Sequence, residues 1–359
     1  MISREGACAN LNGKGVRAMR RTSSLVGGIL AVIVLVGCGG GGGGSSGSSG
    51  ALYTGVTSQA DLTQDNVVDL TMEAYQAGEL ASSAVIPLGQ SEPASYEAGS
   101  PRAVALVRLL RGVAERVRIP VSSQSYAMSA NAVSPMEVIT ESGSMSDGFG
   151  GTASYTITVD TDTGDFSGTF TFTGWHGEGS AMISGTTSVT GNFNVSMDEI
   201  TRIRFTFHAV TMMDGLDSVT LTGTVELSIS GFSSSATIEL YLEDSGIGKT
   251  VWIHGYTMTM TEGPDENPVD GIPDYTEAEV SGRIYLHDYG YIDVSTPTPF
   301  FFNPGSTYPD SGVFQVDGSL GRSAQLVVVS EVAGYFVQAD LDGDPSGVYE
   351  WTSITYPWI

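Results

Sequence analysis

From Thr152 onward, apolar side chains recur at every second position over much of the chain, a period that commits it to extended strands. Tyr155, Ile157 and Val159 alternate with Thr, and Phe166, Phe170 and Phe172 follow in step. Ile203, Phe205 and Phe207, then Val219, Leu221, Val225, Leu227 and Ile229, then Ile238, Leu240 and Leu242 repeat the pattern. Period two places each set on one face of a strand and leaves Thr and Ser on the other. Asp160–Asp165, Asp214-Gly215 and Asp244–Gly248 supply the turns between them. The expected fold class is mainly β: a long antiparallel meander forming a curled sheet, barrel or half-barrel, with two N-terminal helices. With shorter pieces near Val313, Leu326 and Tyr335, about ten to twelve strands are expected. Gly185, Gly191, Gly223, Gly255 and Gly282 fall on the apolar face in this reading, where glycine lets a sheet bend.

Two segments before the strands carry a helical period. Within Ala51–Leu80, Val67, Leu70, Met72, Ala74 and Tyr75 recur near helical spacing, with Thr63 as the expected cap and Gly78 as the expected stop. In Pro101–Ile119, Leu106, Leu109, Leu110, Val113 and Val117 form one face, and Arg108, Arg111, Glu115 and Arg118 the other. That second helix reads either as a membrane- or partner-binding surface or as a helix packed on an acidic body through its arginines.

Leu25–Cys38, LVGGILAVIVLVGC, follows Met19-Arg20-Arg21. A cationic start, an apolar core and a small residue before the cut make a secretory signal. The 12 residues Leu25–Val36 fall short of the ~20 a spanning helix needs. Leu-Val-Gly-Cys resembles the lipobox of bacterial lipoproteins. That resemblance implies cleavage before Cys38, acylation of its thiol and new amine, and, with Gly39 rather than Asp next, delivery to the outer membrane. An ordinary signal peptide or an uncleaved anchor are the alternatives. Met19 is the expected start, with 1–18 an over-called gene start. The expected organisation is a signal peptide at 1–37, lipidated Cys and Gly/Ser linker at 38–50, a helical segment at 51–130 and an antiparallel β domain at 131–359. The linker spans about 17–21 Å as a flexible coil.

Removal of 1–37 takes away Arg4, Lys14, Arg17, Arg20, Arg21 and Glu5, so 15 cations become 10, 40 anions become 39, and the net charge is −29. Such a balance argues against nucleic acid as a partner and leaves carboxylates for divalent cations. Cys38 is then the only cysteine, so the chain has no internal disulfide and folds by burial alone.

Acidic clusters sit between the strands. Asp265-Glu-Asn267-Pro-Val-Asp270-Gly-Ile-Pro-Asp274-Tyr-Thr-Glu277 resembles the calcium loops of thrombospondin type 3 repeats, with one extra residue between Asn267 and Asp270. The resemblance implies Asp265, Asn267, Asp270, Asp274 and Glu277 as calcium ligands. Asp340, Asp342 and Asp344 have the alternating spacing of a calcium loop, with Trp351 where that loop would carry a bidentate Glu. Asp160, Asp162 and Asp165 form a third, thinner cluster. The competing reading is that Asp, Asn, Gly and Pro are turn residues. His208, His254 and His287 are expected on strands, on the face opposite the apolar one, together with Met212, Met258, Met260 and Trp252; a second packed layer explains these as well as a soft metal would. His176, beside Trp175 and Glu178, shows no ligand pattern.

No Gly-x-Ser-x-Gly elbow stands between a strand and a helix, the pattern occurring only within the Gly/Ser run, and Lys249 is the only lysine after Cys38, so nucleophilic and phosphate chemistry find no foothold. Ser281–Phe300, Ala339–Asp344 with Tyr349-Glu-Trp351, and Tyr53–Thr57 resemble a group of uncharacterised Gram-negative envelope lipoproteins with Thr/Gly-rich β domains and no assigned activity. The expectation is a non-enzymatic outer-membrane lipoprotein, periplasmic or surface-facing, tethered to the membrane by its lipid and stabilised by calcium, its protein or ligand partner left open. The alternatives are a lipocalin-like barrel carrying an apolar ligand and a hydrolase with a carboxylate pair. A membrane-spanning barrel is disfavoured by the anchor, the helices and Pro357 near the last strand.

Overall fold

The computed structural model describes residues 53–83 and 138–358, apart from 177–180, 195–198, 215–216, 245–247, 265–273 and single residues 305, 307, 345 and 347. The signal segment, Cys38, the linker and the helix expected at 101–119 lie outside the described residues. One helix, α1 (Val67–Ser83), precedes fourteen strands: β1 Val138–Ser146, β2 Thr152–Asp160, β3 Asp165–Trp175, β4 Met182–Asn194, β5 Glu199–Asp214, β6 Asp217–Ser230 and β7 Ser233–Asp244. The series continues with β8 Lys249–Glu262, β9 Thr276–Leu286, β10 Gly290–Phe302, β11 Ser311–Asp317, β12 Ser323–Ser330, β13 Gly334–Asp340 and β14 Trp351–Thr352. Each strand pairs antiparallel with the next in chain order, making one sheet that is not closed into a barrel.

The alternation read from the sequence is the alternation of burial. Ile157, Phe170, Val189, Phe205, Val225, Ile238, Ile253, Ile284, Ile292, Phe314, Leu326 and Val337 point to one side and are buried in a single contiguous cluster. The opposite side carries hydroxyl pairs such as Thr140–Thr158, Ser142–Thr156 and Thr211–Thr220. Gly191 has a specific task on the apolar side: a Cβ there would collide with the Phe166 ring and the Arg202 carbonyl.

Bulges modify the pattern. The register slips between Phe207 and Val210 of β5, where Ala209 takes φ 52°, and between His254 and Thr257 of β8. Each slip turns the following side chains over by one position. Met212, Met258 and Met260 are therefore buried on the apolar side, not beside the histidines as strict alternation implied. Gly255, at the β8 bulge, is exposed and not on the apolar side. Pro297 and Pro299 lie inside β10, where the register slips twice against β11; the missing N–H of proline is tolerated at such irregularities.

Helix α1 packs on the apolar side against β7–β9 and β11–β13. Val67, Leu70, Ala74 and Tyr75 are buried, as their spacing predicted. The Tyr75 ring meets Phe300 and Phe314 edge-on at 5.8 and 5.7 Å. Its start is a turn on Thr63, whose carbonyl accepts from Asn66 and Val67 N–H and whose N–H donates to Asn66 Oδ1; the Asn66 carbonyl then accepts from Leu70. Gly78 does not stop the helix, which continues to Ser83; an interior glycine costs only about 1 kcal/mol.

Residues 53–62 form a strap across one end of the sheet. Val56 N–H donates to the His287 carbonyl, Ala60 N–H to Tyr291 and Ser319 N–H to Ala60, at 2.9, 2.8 and 2.7 Å. Tyr53 sits on the outer side of the sheet, its hydroxyl 2.9 Å from the Leu286 carbonyl. Arg322 pairs with Asp61. Gly290, at φ 100°, leaves room for the Ser58 carbonyl. The chain thus passes from the outer side, over the rim, to the inner side where α1 lies. Replacing Tyr75 by alanine should cost about 3–5 kcal/mol in a urea melt, whereas His208→Ala on the outer side should cost less than about 0.5.

Candidate functional site

The sequence proposed three kinds of site, and the structure brings together only parts of them. At the β13–β14 connection, Asp340, Asp342 and Glu350 each offer a carboxylate oxygen, all within 4.8 Å of one another, the only such group among the described residues. Asp340, the last residue of β13, is 5% exposed. Asx-type bonds shape the loop: Asp340 Oδ1 accepts from Gly343 N–H and Asp342 Oδ1 from Asp344 N–H, each at 2.9 Å, and Glu350 Oε2 accepts from Leu341 N–H at 3.2 Å. Each carboxylate keeps a second oxygen. Hard oxygen donors of this kind suit calcium or magnesium, with carbonyls and water completing the shell.

Asp344 is not a member of that group. Its Oδ1 accepts from Ser346 N–H at 2.7 Å, and the bonds to Ser346 hold its carboxyl below the usual range. The third acid is Glu350, one residue before the position a linear loop would use, because the hairpin brings the chain back early to pair Ala339 with Trp351. The Tyr349-Glu-Trp351 phrase held that residue in view, but only the return of the hairpin gives it a role.

For the other acidic loop, Asp265, Asn267 and Asp270 lie outside the described residues. Asp274 closes onto Pro264 through a backbone bond of 2.9 Å, and Glu277 is exposed on β9. In the third cluster, Asp160 Oδ1 accepts from Asp162 and Thr163 N–H, at 2.9 and 3.2 Å. That is turn chemistry.

The histidines are dispersed. His208 Nε2 lies 2.9 Å from Ser188 Oγ, and His287 sits in the β9–β10 turn, not on a strand, with Nδ1 3.3 Å from Thr250 Oγ1. His254 Nδ1 lies 2.9 Å from Glu239 Oε1, which also accepts from Trp252 Nε1 at 2.7 Å, while Glu239 Oε2 accepts from Gly255 N–H. Around this carboxylate, Tyr241, Trp252, Tyr285 and Tyr291 stand in direct register on β7–β10. Tyr241 and Trp252 are stacked at 5.1 Å, and Trp252 and Tyr285 at 4.4 Å. Because Trp252 is stacked between Tyr241 and Tyr285, its faces are covered, and the row forms a cross-strand tie rather than a platform for a planar ligand. Arg283 pairs with Asp293 through two bonds and lies 3.9 Å over the Tyr291 ring.

At the β1 edge of the sheet, the Asp147 carboxylate organises the β1–β2 turn, a role with no signal in the sequence. It accepts N–H bonds from Phe149, Gly151 and His176 at 2.8, 2.9 and 2.7 Å, and lies 3.0 Å from His176 Nδ1. These bonds, the His176 backbone first, hold its carboxyl far below the ordinary range.

Comparison with protein-family models, with curated proteins and with solved structures finds no match to this chain.

Asp147 yields a pH prediction. A depressed folded-state value stabilises the fold above the ordinary Asp value, about 3.9, and that contribution is lost as pH falls toward the lower folded-state value. The stability gap between the parent and Asp147→Asn in urea melts should be constant from about pH 7 to 5 and narrower at about pH 3. An unchanged gap at the lower pH would contradict the assignment.

Proposed function

We propose that this chain is an envelope lipoprotein whose β domain is a non-enzymatic structural or binding module, held on the outer membrane through lipids on Cys38. The lipobox-like Leu35-Val-Gly-Cys38 and the Gly/Ser run behind it support the anchor. The observation that carries the non-enzymatic reading is how the ionisable groups on the outer side and at the β1–β2 turn are employed. Glu239 holds Trp252 and His254, Arg283 holds Asp293, and Asp147 holds His176. These acid–base pairs bridge neighbouring strands or turns and are engaged with each other instead of converging on a cleft. The carrier reading has less support, because the sheet is not closed and α1 lies on the apolar side where a ligand would sit.

Calcium at Asp340, Asp342 and Glu350 is part of the proposal. Three carboxylates within 4.8 Å repel one another, and a divalent cation would relieve that repulsion while locking the last hairpin.

Mass spectrometry of the protein from its native envelope should find a mature N-terminus at Cys38 carrying fatty acids. An unmodified thiol or a different N-terminus would remove the anchor. Calcium is tested separately by thermal melts. For a site of ~1 mM affinity, about 10 mM calcium adds ~1.4 kcal/mol and should raise the midpoint by about 2–5 °C. The shift should vanish in Asp340→Asn; no shift in the parent would remove calcium and leave the anchor untouched.

A further inference from the structure

In an antiparallel meander every second turn falls at the same end of the sheet. The β9–β10, β11–β12 and β13–β14 connections therefore share one end, and the β6–β7 and β12–β13 turns lie at the other. At the first end, each connection presents an exposed apolar side chain: Tyr289, Leu320 and Val348, at 40%, 75% and 59% exposure, joined by Val56 of the strap at 42%. The strap, the Tyr289 turn and the Leu320 turn adjoin one another, and the β13–β14 connection reaches Leu320 through Gly343. Gly290 lies against Val56, Ser319 is bonded to the strap, and Gly343 backs onto the Leu320 carbonyl.

Leu320 is the most informative of them. It takes φ 61° and ψ 24° in a single 3-10 turn, a left-handed conformation that glycine or asparagine adopts readily and a bulky residue adopts with strain. The strained backbone brings the side chain no burial. Strain held at an exposed tip points to a task outside the fold.

The tether supplies the occupant. The described chain begins at Tyr53, pinned at this same end, and fourteen residues, 39–52, separate it from Cys38. A chain of that length would span about 19–22 Å as a Gly/Ser-type coil, and at most about 50 Å pulled straight. The opposite end lies a strand length farther away, about 36 Å for the 11 residues of β9. Charge narrows the surface further. Asp288 is paired with Lys249 and Asp61 with Arg322, while the exposed Asp342 and Asp344 flank Gly343, which backs onto Leu320, and disfavour anionic headgroups.

We propose that this end of the sheet rests on the zwitterionic phospholipid surface holding the chain's own anchor, with Leu320 and Tyr289 entering the headgroup layer beside Val56 and Val348. The proposal rests on the lipoprotein reading. It adds that the domain is oriented on the bilayer, not merely leashed to it. A weak apolar contact suffices, since the tether supplies a high local concentration.

The test uses the mature chain coupled through its Cys38 thiol to a maleimide lipid in phosphatidylcholine vesicles, so anchoring does not depend on acylation in cells. Leu320→Trp and Val332→Trp, at opposite ends, are compared with the parent in vesicles with and without brominated acyl chains. The added fluorescence of Leu320→Trp should be quenched about twofold or more, that of Val332→Trp should not change, and Tyr289→Ser should reduce the Leu320→Trp quenching. Equal quenching at both ends, or none at Leu320→Trp, overturns the proposal. If circular dichroism shows that Leu320→Trp is misfolded, Tyr289→Trp against Phe232→Trp makes the same comparison. The two readings fail separately. Fatty acids on native Cys38 without quenching at Leu320→Trp sink the docking alone; quenching with an unmodified native Cys38 sinks the lipoprotein alone.

Discussion

A sheet with one apolar side can exist in water only when that side is hidden, and the rest of this structure follows from meeting that demand. The chain contains no internal disulfide after Cys38 and carries a large negative charge, so burial must also overcome self-repulsion. Among the described residues, fourteen strands at about 4.8 Å spacing would make a face about 60 Å wide if flat, more than α1, about 25 Å long, spans. The bulges at Ala209 and Gly255 bend the strands, and Gly191 clears space for the Phe166 ring. The buried side chains of β2–β13 and α1 then join in one cluster.

The outer side answers a different demand, which is to hold a long meander in register. Thr and Ser pair across β1, β2, β5 and β6, an aromatic row and its acid–base neighbours tie β7–β10, and Gln315, Gln325 and Gln338 form an amide chain across β11–β13. The first edge is guarded as well. Glu141 of β1 faces the apolar side, opposite Ile157, with its carboxylate 3.0 Å from the Tyr155 hydroxyl. An inward charge on an edge strand discourages pairing with another chain. The strap then joins the two sides: Tyr53 completes the aromatic row outside, and the residues after it deliver α1 to the inside.

The sheet was legible because period two survives wherever a strand faces water on one side, as in Phe166–Phe172 or Ile238–Leu242. It was illegible where a bulge changes parity. His254 and Met258 read as neighbours on one face, yet a slip of one residue puts Met258 in the core. Strands β1, with Glu141 and Gly143 on its inner side, and β10, with two prolines, lacked the signal for the same local reason. Asp340 and Asp342 were legible from spacing, whereas Glu350 depends on where the hairpin returns. Asp147 had no signal at all, since its role is fixed by His176, twenty-nine residues away.

The strap, α1 and the sheet form one folded body, which the chain enters at Tyr53, at a fixed place on its rim. Hydrogen–deuterium exchange read by mass spectrometry tests it most directly, because the Val56 and Ala60 amides donate to carbonyls of the β9–β10 hairpin region. Peptides covering 53–62 should exchange orders of magnitude more slowly than free coil and lose protection together with β9–β12 on titration with urea. Exchange of 53–62 at coil rates while β9–β12 stay protected would show that the strap is not part of the fold, and the account would fail.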